Sequence, residues 1–312
     1  MRPVRALLLL LCLAAGATVR AAGAPPLFTL HEVGHGVWAA TSAPTSKAGS
    51  NAGFVIGNDA VLVVDSFEDP AAARALLAAI HDKTSLPVRY LVNTHYHLDH
   101  VAGNGVFRDA GAVILAQRNV RAWERTENLK FFGPGITPAQ KAMVQAYVLP
   151  TVTYRDGVDI DLGGRTVQVR VMPGHTGGDS VVVVPDARVV FTGDLFWSHS
   201  LPNLIDADTA AQIRTNDALL REHPDATFVP GHGEVAHAAD VRAFRDYLVT
   251  LRQTITAAQA GGEHGDALQR DVLARLKRDY GHWDYFGYFA ASNITQTVAE
   301  LAGHKRRPVP VP

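Results

Sequence analysis

Three His and one Asp fall within six residues at His95-Tyr96-His97-Leu98-Asp99-His100. Imidazoles spaced by two at a strand-to-loop junction can converge on one cation, while Asp99 and His100, further along the turn, can point at a second. Three later segments repeat one design, a strand, a tight Gly turn and a lone ligand-type residue. They are Met172-Pro173-Gly174-His175, Phe191-Thr192-Gly193-Asp194 and Val229-Pro230-Gly231-His232. Gly before each ligand lets the backbone turn sharply and bring the side chain inward. Such a set offers only nitrogen and oxygen donors, which suit zinc and equally iron or manganese. Two divalent ions about 3.5–4 Å apart can share a water, lower its pKa towards neutrality and direct the hydroxide at a carbonyl or phosphoryl centre.

These residues need a scaffold, and the pattern along the chain supplies one. Strands are expected over 52–57 and 61–65, split by Gly57-Asn58-Asp59, then a helix over 70–82 capped by Asp69 with Pro at its first position. A strand over 89–93 leads into the His-rich loop, and another spans 112–116. Helices over 119–128 and 138–149 flank the breaker Gly133-Pro134-Gly135. Strands follow at 166–171, 180–184 and 189–192, then a helix over 208–222 and a strand at 227–229. Helices over 239–260, 266–280 and 294–302 precede a Pro-rich tail, 304–312, expected to be extended and mobile. Apolar strands bounded by helices indicate an α/β layered fold, and the ligand segments all lie at strand carboxyl ends, where such sheets place their sites.

In this order, the ligand segments resemble the metallo-β-lactamase-fold superfamily, and the resemblance covers about residues 28–238. It implies a four-layer αβ/βα sandwich with the site at one edge between two sheets, here followed by a C-terminal helical extension over 239–303. It also implies roles. His95, His97 and His175 would hold the first metal, Asp99, His100 and His232 the second, and Asp194 would bridge both, as in the glyoxalase-II-like hydrolases. In the β-lactamases proper the second-metal position is often a Cys or lacks the bridging Asp. Asp99 would orient a metal-bridging hydroxide and shuttle its proton. The expected activity is metal-dependent hydrolysis, with zinc as the first choice of metal, of an ester, thioester, lactone or amide carbonyl, β-lactams included. The alternatives are an iron-dependent redox enzyme of the persulfide dioxygenase type and a non-catalytic metal-binding domain. Both usually leave part of the ligand set unused or lost, whereas here it is complete.

Composition narrows the partners. The chain has 312 residues, 14 His, a single Cys and a formal net charge of -1, so it has the length for a sizeable core but no basic surplus for nucleic acid. Arg2 and Arg5, the apolar run 6–17 and the small residues up to 24 form the three-part pattern of a signal peptide over 1–24. Its cleavage would remove Cys12, the only Cys, which suits an oxidising compartment. A periplasmic or secreted protein acting on a small molecule, with no stable membrane insertion after cleavage, is therefore expected.

Weaker signals complete the reading. His31-Glu32-Val33-Gly34-His35 matches the H-E-x-x-H zinc motif, but its Gly residues and β-like context deny it the helix that motif needs. Asp65 is expected to brace the metal loop. The segment 119–150, carrying Trp123, Phe131 and Phe132, could form a lid. Trp123, Phe131, Phe196, Trp197 and His199 are candidates for the substrate pocket, while the aromatic run 283–289 reads first as core packing, with a cap on the cleft or a dimer contact as the alternatives. The remaining His are expected at the surface.

Overall fold

The computed structural model describes residues 26–311, so the signal-peptide segment lies outside the described residues. A hairpin of β1 (Thr29–Gly34) and β2 (Val37–Thr41) is extended by antiparallel β3 (Ala52–Ile56) and β4 (Val61–Val64). Helix α1 (Pro70–Lys83) crosses over to β5 (Val88–Asn93), which runs parallel to β4. Asp69 starts α1 by accepting a hydrogen bond from the Ala71 amide at 2.8 Å, with Pro70 in the first turn. Short α2 (Leu98–Val101) and α3 (Asn104–Asp109) lead to parallel β6 (Val113–Gln117). After β6 come α4 (Arg118–Trp123), a 3₁₀ turn over Glu127–Phe132, α5 (Pro138–Gln145) and β7 (Val152–Tyr154), the last strand of a seven-stranded sheet. The 3₁₀ turn stands where the end of a helix over 119–128 was expected.

The second sheet has five strands: β8 (Gly157–Asp161), β9 (Thr166–Val171), β10 (Ser180–Val184), β11 (Val189–Trp197) and β12 (Thr227–His232), with α6 (Thr209–Glu222) between the last two. β11 and β12 are parallel and the rest antiparallel. β7 and β8 were not foreseen. They are short and partly exposed, so their apolar alternation is faint, yet they carry the chain from one sheet to the other. Helices α7 (Ala238–Ala260), α8 (Gly265–Tyr280) and α9 (Phe286–Leu301) form the C-terminal extension. α9 begins well before the expected 294, because Tyr285 takes a left-handed conformation (φ 58°) that redirects the chain into it.

The period-two alternation of strands divides the side chains among the layers. Val61 and Val63 of β4 face α1 and α3, meeting Leu76, Ile80 and Phe107. Leu62 and Val64 face the other way, into the space between the sheets, with Val182 and Phe191. Val181 and Val183 of β10 point to the far side, under Leu219 of α6 and Phe244 and Leu248 of α7. Helices, sheet, sheet and helices thus stack as the four-layer αβ/βα sandwich expected from the sequence.

The extended tail is in contact with the body of the molecule. Among the described residues, 304–311 lie as a strap across the molecule, held at several points. Lys305 Nζ donates to the Leu204 and Ala207 carbonyls at 2.6 and 2.5 Å. Arg306 pairs with Glu127 and Arg307 with Asp208. The Val309 carbonyl accepts from Trp123 Nε1, and the Val311 amide donates to Asn119 Oδ1, both at 3.0 Å. Proline content predicts an extended backbone here, but buried partners decide whether that backbone is held.

Candidate metal centre

The site lies where the carboxyl ends of β5, β11 and β12 meet the loop after β9. β5 ends in Asn93, and the chain turns at once through Thr94 and the His cluster into α2. His95, His97, His175 and Asp194 bring one ligand atom each to within 4.8 Å of one another, and so do Asp99, His100 and His232. Asp194 joins the two groups. Its Oδ2 lies 3.3 Å from His175 Nε2 and 3.7 Å from His95 Nε2, while its Oδ1 lies 3.1 Å from His100 Nε2 and 3.5 Å from His232 Nε2. Asp99 Oδ2 stands 3.2 Å from His232 Nε2, and its side chain is 23 % exposed to the cleft. All seven metal-ligand candidates are therefore brought together.

The donor atoms fit a metal on their own account. His95 Nε2, His100 Nε2, His232 Nε2 and Asp194 Oδ1 are buried with no hydrogen-bond partner. Buried polar atoms in a folded protein nearly always have one, so four such atoms divided between the two ligand groups fit bound cations. Burial holds His95 well below the ordinary imidazole range and takes His175 down to about 3, leaving both neutral, the form that ligates metal. For His100 and His232, burial is outweighed by Asp194 and Asp99, which favour their protonated forms. Loading that second group must therefore displace protons.

A second set of residues aims the ligands. Asp65 accepts from the Thr94 amide at 2.8 Å and Thr94 Oγ1 at 2.7 Å, and its Oδ2 is 2.8 Å from His100 Nδ1. Thr94 Oγ1 in turn lies 3.1 Å from His95 Nδ1. Asp65 thus braces a ligand of each group, as the sequence led us to expect. A carboxylate only accepts, so once the second proton is displaced the remaining proton of His100 sits on Nδ1 and its Nε2 lone pair is left for metal.

His97 is held by a partner that sequence reasoning missed. Asp206 Oδ2 lies 3.0 Å from His97 Nε2, which turns Nδ1 towards the site. The same carboxylate accepts from Tyr96 Oη and, at 2.6 Å, from Lys130 Nζ. Burial alone would raise the Asp206 pKa, but the His97 and Lys130 contacts hold it below the ordinary carboxylate range. Asp206 lies over a hundred residues from His97 in a loop without a motif, so only the fold reveals it. Asp206→Asn would turn an amide against these donors and is expected to weaken metal binding about 10–100-fold. Competition with a chromophoric chelator measures this, and wild-type affinity would refute the role. Asp179 performs the matching task for His175, accepting the Gly174, His175 and Thr176 amides at 2.8–3.1 Å.

A cleft of about 350 Å³ opens over the site, walled by Phe131, Trp197, Tyr285 and Phe289. Phe131 meets the His97 ring edge-on at 5.0 Å, and Trp197 lies 3.8 Å from the His232 ring. The other pocket candidates lie elsewhere. Trp123 is buried against Tyr96, with its Nε1 bonded to the tail. Phe196 points to the opposite face of β11 from the cleft and packs on Phe244. His199 adopts a left-handed backbone (φ 48°) and turns outward to Asp240 at 2.9 Å. Tyr285 and Phe289 do both things read for their run from sequence, packing against the core and closing one side of the cleft, with the Tyr285 hydroxyl donating to the Pro44 carbonyl across the cleft. Glu68, also unforeseen, lines the cleft, and its carboxyl is raised by burial and by the nearby Asp99 and Asp69. The 119–150 segment supplies the Phe131 wall, tied down through Lys130 and the tail. His31 sits on β1 and bonds Thr41, so the H-E-x-x-H match has no helix.

Residues 46–232 match the family model described as the metallo-beta-lactamase superfamily. A hydroxyacylglutathione hydrolase of Brucella ovis is 27 % identical over 164 residues, 53 % of this chain and 55 % of that protein. A linear primary-alkylsulfatase of a Pseudomonas species is 22 % identical over 211 residues, 56 % of this chain and 40 % of that protein. The chain thus spans about half the length of these curated relatives. Among solved structures, a metallo-beta-lactamase from Pontibacter korlensis superposes with a TM-score of 0.59 at 21 % identity, over 71 % of this chain and 99 % of that one.

Proposed function

The chain belongs to the metallo-beta-lactamase superfamily, and from that premise we propose that it is an exported dinuclear metallo-hydrolase, with zinc as its metal, acting on an ester, thioester, lactone or amide carbonyl. The observation that carries this is the placement of Asp194, whose two oxygens face two separate sets of His. His95, His97 and His175 would hold one cation, Asp99, His100 and His232 the other, and Asp194 both. When bound, the two cations supply Lewis acidity and a water acidified towards neutral pH.

The chain's own residues supply the rest. Asp99 Oδ2, open to the cleft and beside His232, is placed to take a proton from a water and return it to the leaving group. Phe131, Trp197, Tyr285 and Phe289 give the cleft aromatic walls against which an apolar part of the substrate would pack. Export is supported by the N-terminal pattern of residues 1–24 and by Cys12 being the single Cys.

The test is a hydrolysis panel on metal-loaded protein with β-lactams, lactones and thioesters side by side. One relative's name makes an alkyl sulfate a natural addition. We expect turnover on at least one class, abolished by chelator and restored by zinc. A single bound iron with oxygen uptake would overturn the reading in favour of redox chemistry.

A further inference from the structure

We propose that the substrate carries an apolar chain beside its scissile bond, and that this chain lies in a second cavity between α2, the 3₁₀ turn and α5. This rests on the hydrolase reading and names the substrate class of that same site. The cavity, of about 630 Å³, is within the size range of small-molecule sites. It adjoins the metal cleft directly, since Glu68 and Leu98 line both. Leu98 is the residue before Asp99, so the two spaces meet beside the group placed to move the proton.

The lining divides by chemistry. Lys47, Glu68 and Asp69 come from the β2–β3 loop and the start of α1, while the α2 and α5 side is apolar, with Ala102, Met143 and Val148. Met143 is 47 % exposed, a large apolar side chain on the cavity wall that the protein itself leaves uncovered. A bound hydrocarbon would cover it, and the Tyr147 hydroxyl is the one polar group that this side adds to the lining. An apolar tail along α5, joined to a scissile group at the metal cleft, matches the apolar side of the lining.

A series of p-nitrophenyl esters from acetate to decanoate reads this directly. Each buried methylene should raise kcat/KM about three- to fourfold until the cavity is filled. Met143→Lys, on the exposed side of α5, should cut the decanoate-to-acetate ratio of kcat/KM at least tenfold. Calorimetric binding of acetate, octanoate and decanoate to the same two proteins gives a readout independent of turnover. Its affinity should rise with chain length in the wild type and flatten in Met143→Lys. Acetate ester hydrolysed with no gain from longer chains would overturn the proposal and leave the hydrolase reading standing. No ester hydrolysed at full metal loading would count against the hydrolase reading on these substrates. The carboxylate series then decides the cavity, chain-dependent binding supporting it and flat binding overturning it.

Discussion

Asp194→Asn is expected to cost the protein at least one of its two cations and to lower hydrolysis by about two to three orders of magnitude. Removing one partner of a buried ionic contact costs about 3–5 kcal/mol, and each ~1.4 kcal/mol is tenfold in rate or affinity. The shape of the side chain survives in Asn, so the loss reports charge and lone pairs. An amide presents one oxygen and two N–H groups, and whichever way it turns, donors face either His175 and His95 or His100 and His232. Metal content and kcat/KM are the readouts. A variant that keeps two ions and near-normal rates would remove Asp194 from the bridging position.

Gly231→Ala should be nearly as damaging, although it touches no ligand atom by chemistry. A Cβ on Gly231 would stand 1.9 Å from Asp194 Oδ1 and 2.8 Å from the Gly193 carbonyl carbon. The loop cannot retreat, because the Gly231 carbonyl accepts from the Asn51 amide at 2.7 Å. Asn51 Nδ2 also donates to the Pro230 and Gly233 carbonyls at 3.0 and 2.7 Å. The Asp194 carboxylate must therefore move, and the crowding costs about 1–3 kcal/mol of stability besides. We expect metal affinity to fall at least a hundredfold and the metal-free melting temperature to drop. Gly135→Ala, where a Cβ meets nothing within 4 Å, should change neither. Equal behaviour of the two variants would contradict the steric account.

The ligand residues were legible in the sequence because their signal is local. The His cluster follows a readable strand, and each later ligand sits one residue after a Gly at a strand end, so neither needs tertiary knowledge to be found. The four layers were legible for a related reason: β4 is apolar at every position and β10 at every position after Ser180, which only burial on both faces explains. What surrounds the ligands was harder to read. Phe196 and Trp197 are neighbours on β11, and strand alternation sends one to Phe244 and the other to His232. The irregular register of β11 against β12 between Phe191 and Trp197 hides which is which. Asp206, Lys130 and Tyr285 reach the site from loops and turns far along the chain, where no spacing rule points to them. The tail's contacts were hidden for a simpler reason, since a proline-rich end reads alike whether or not it has partners.

A titration of activity against metal equivalents added to chelator-treated protein, using the substrate that the hydrolysis panel turns over fastest, tests the two-ion site most directly. Two groups of ligands joined by Asp194 predict no activity without metal and a rise that levels off at two zinc ions per chain. Full activity in metal-free protein, or a plateau at one ion, would contradict it.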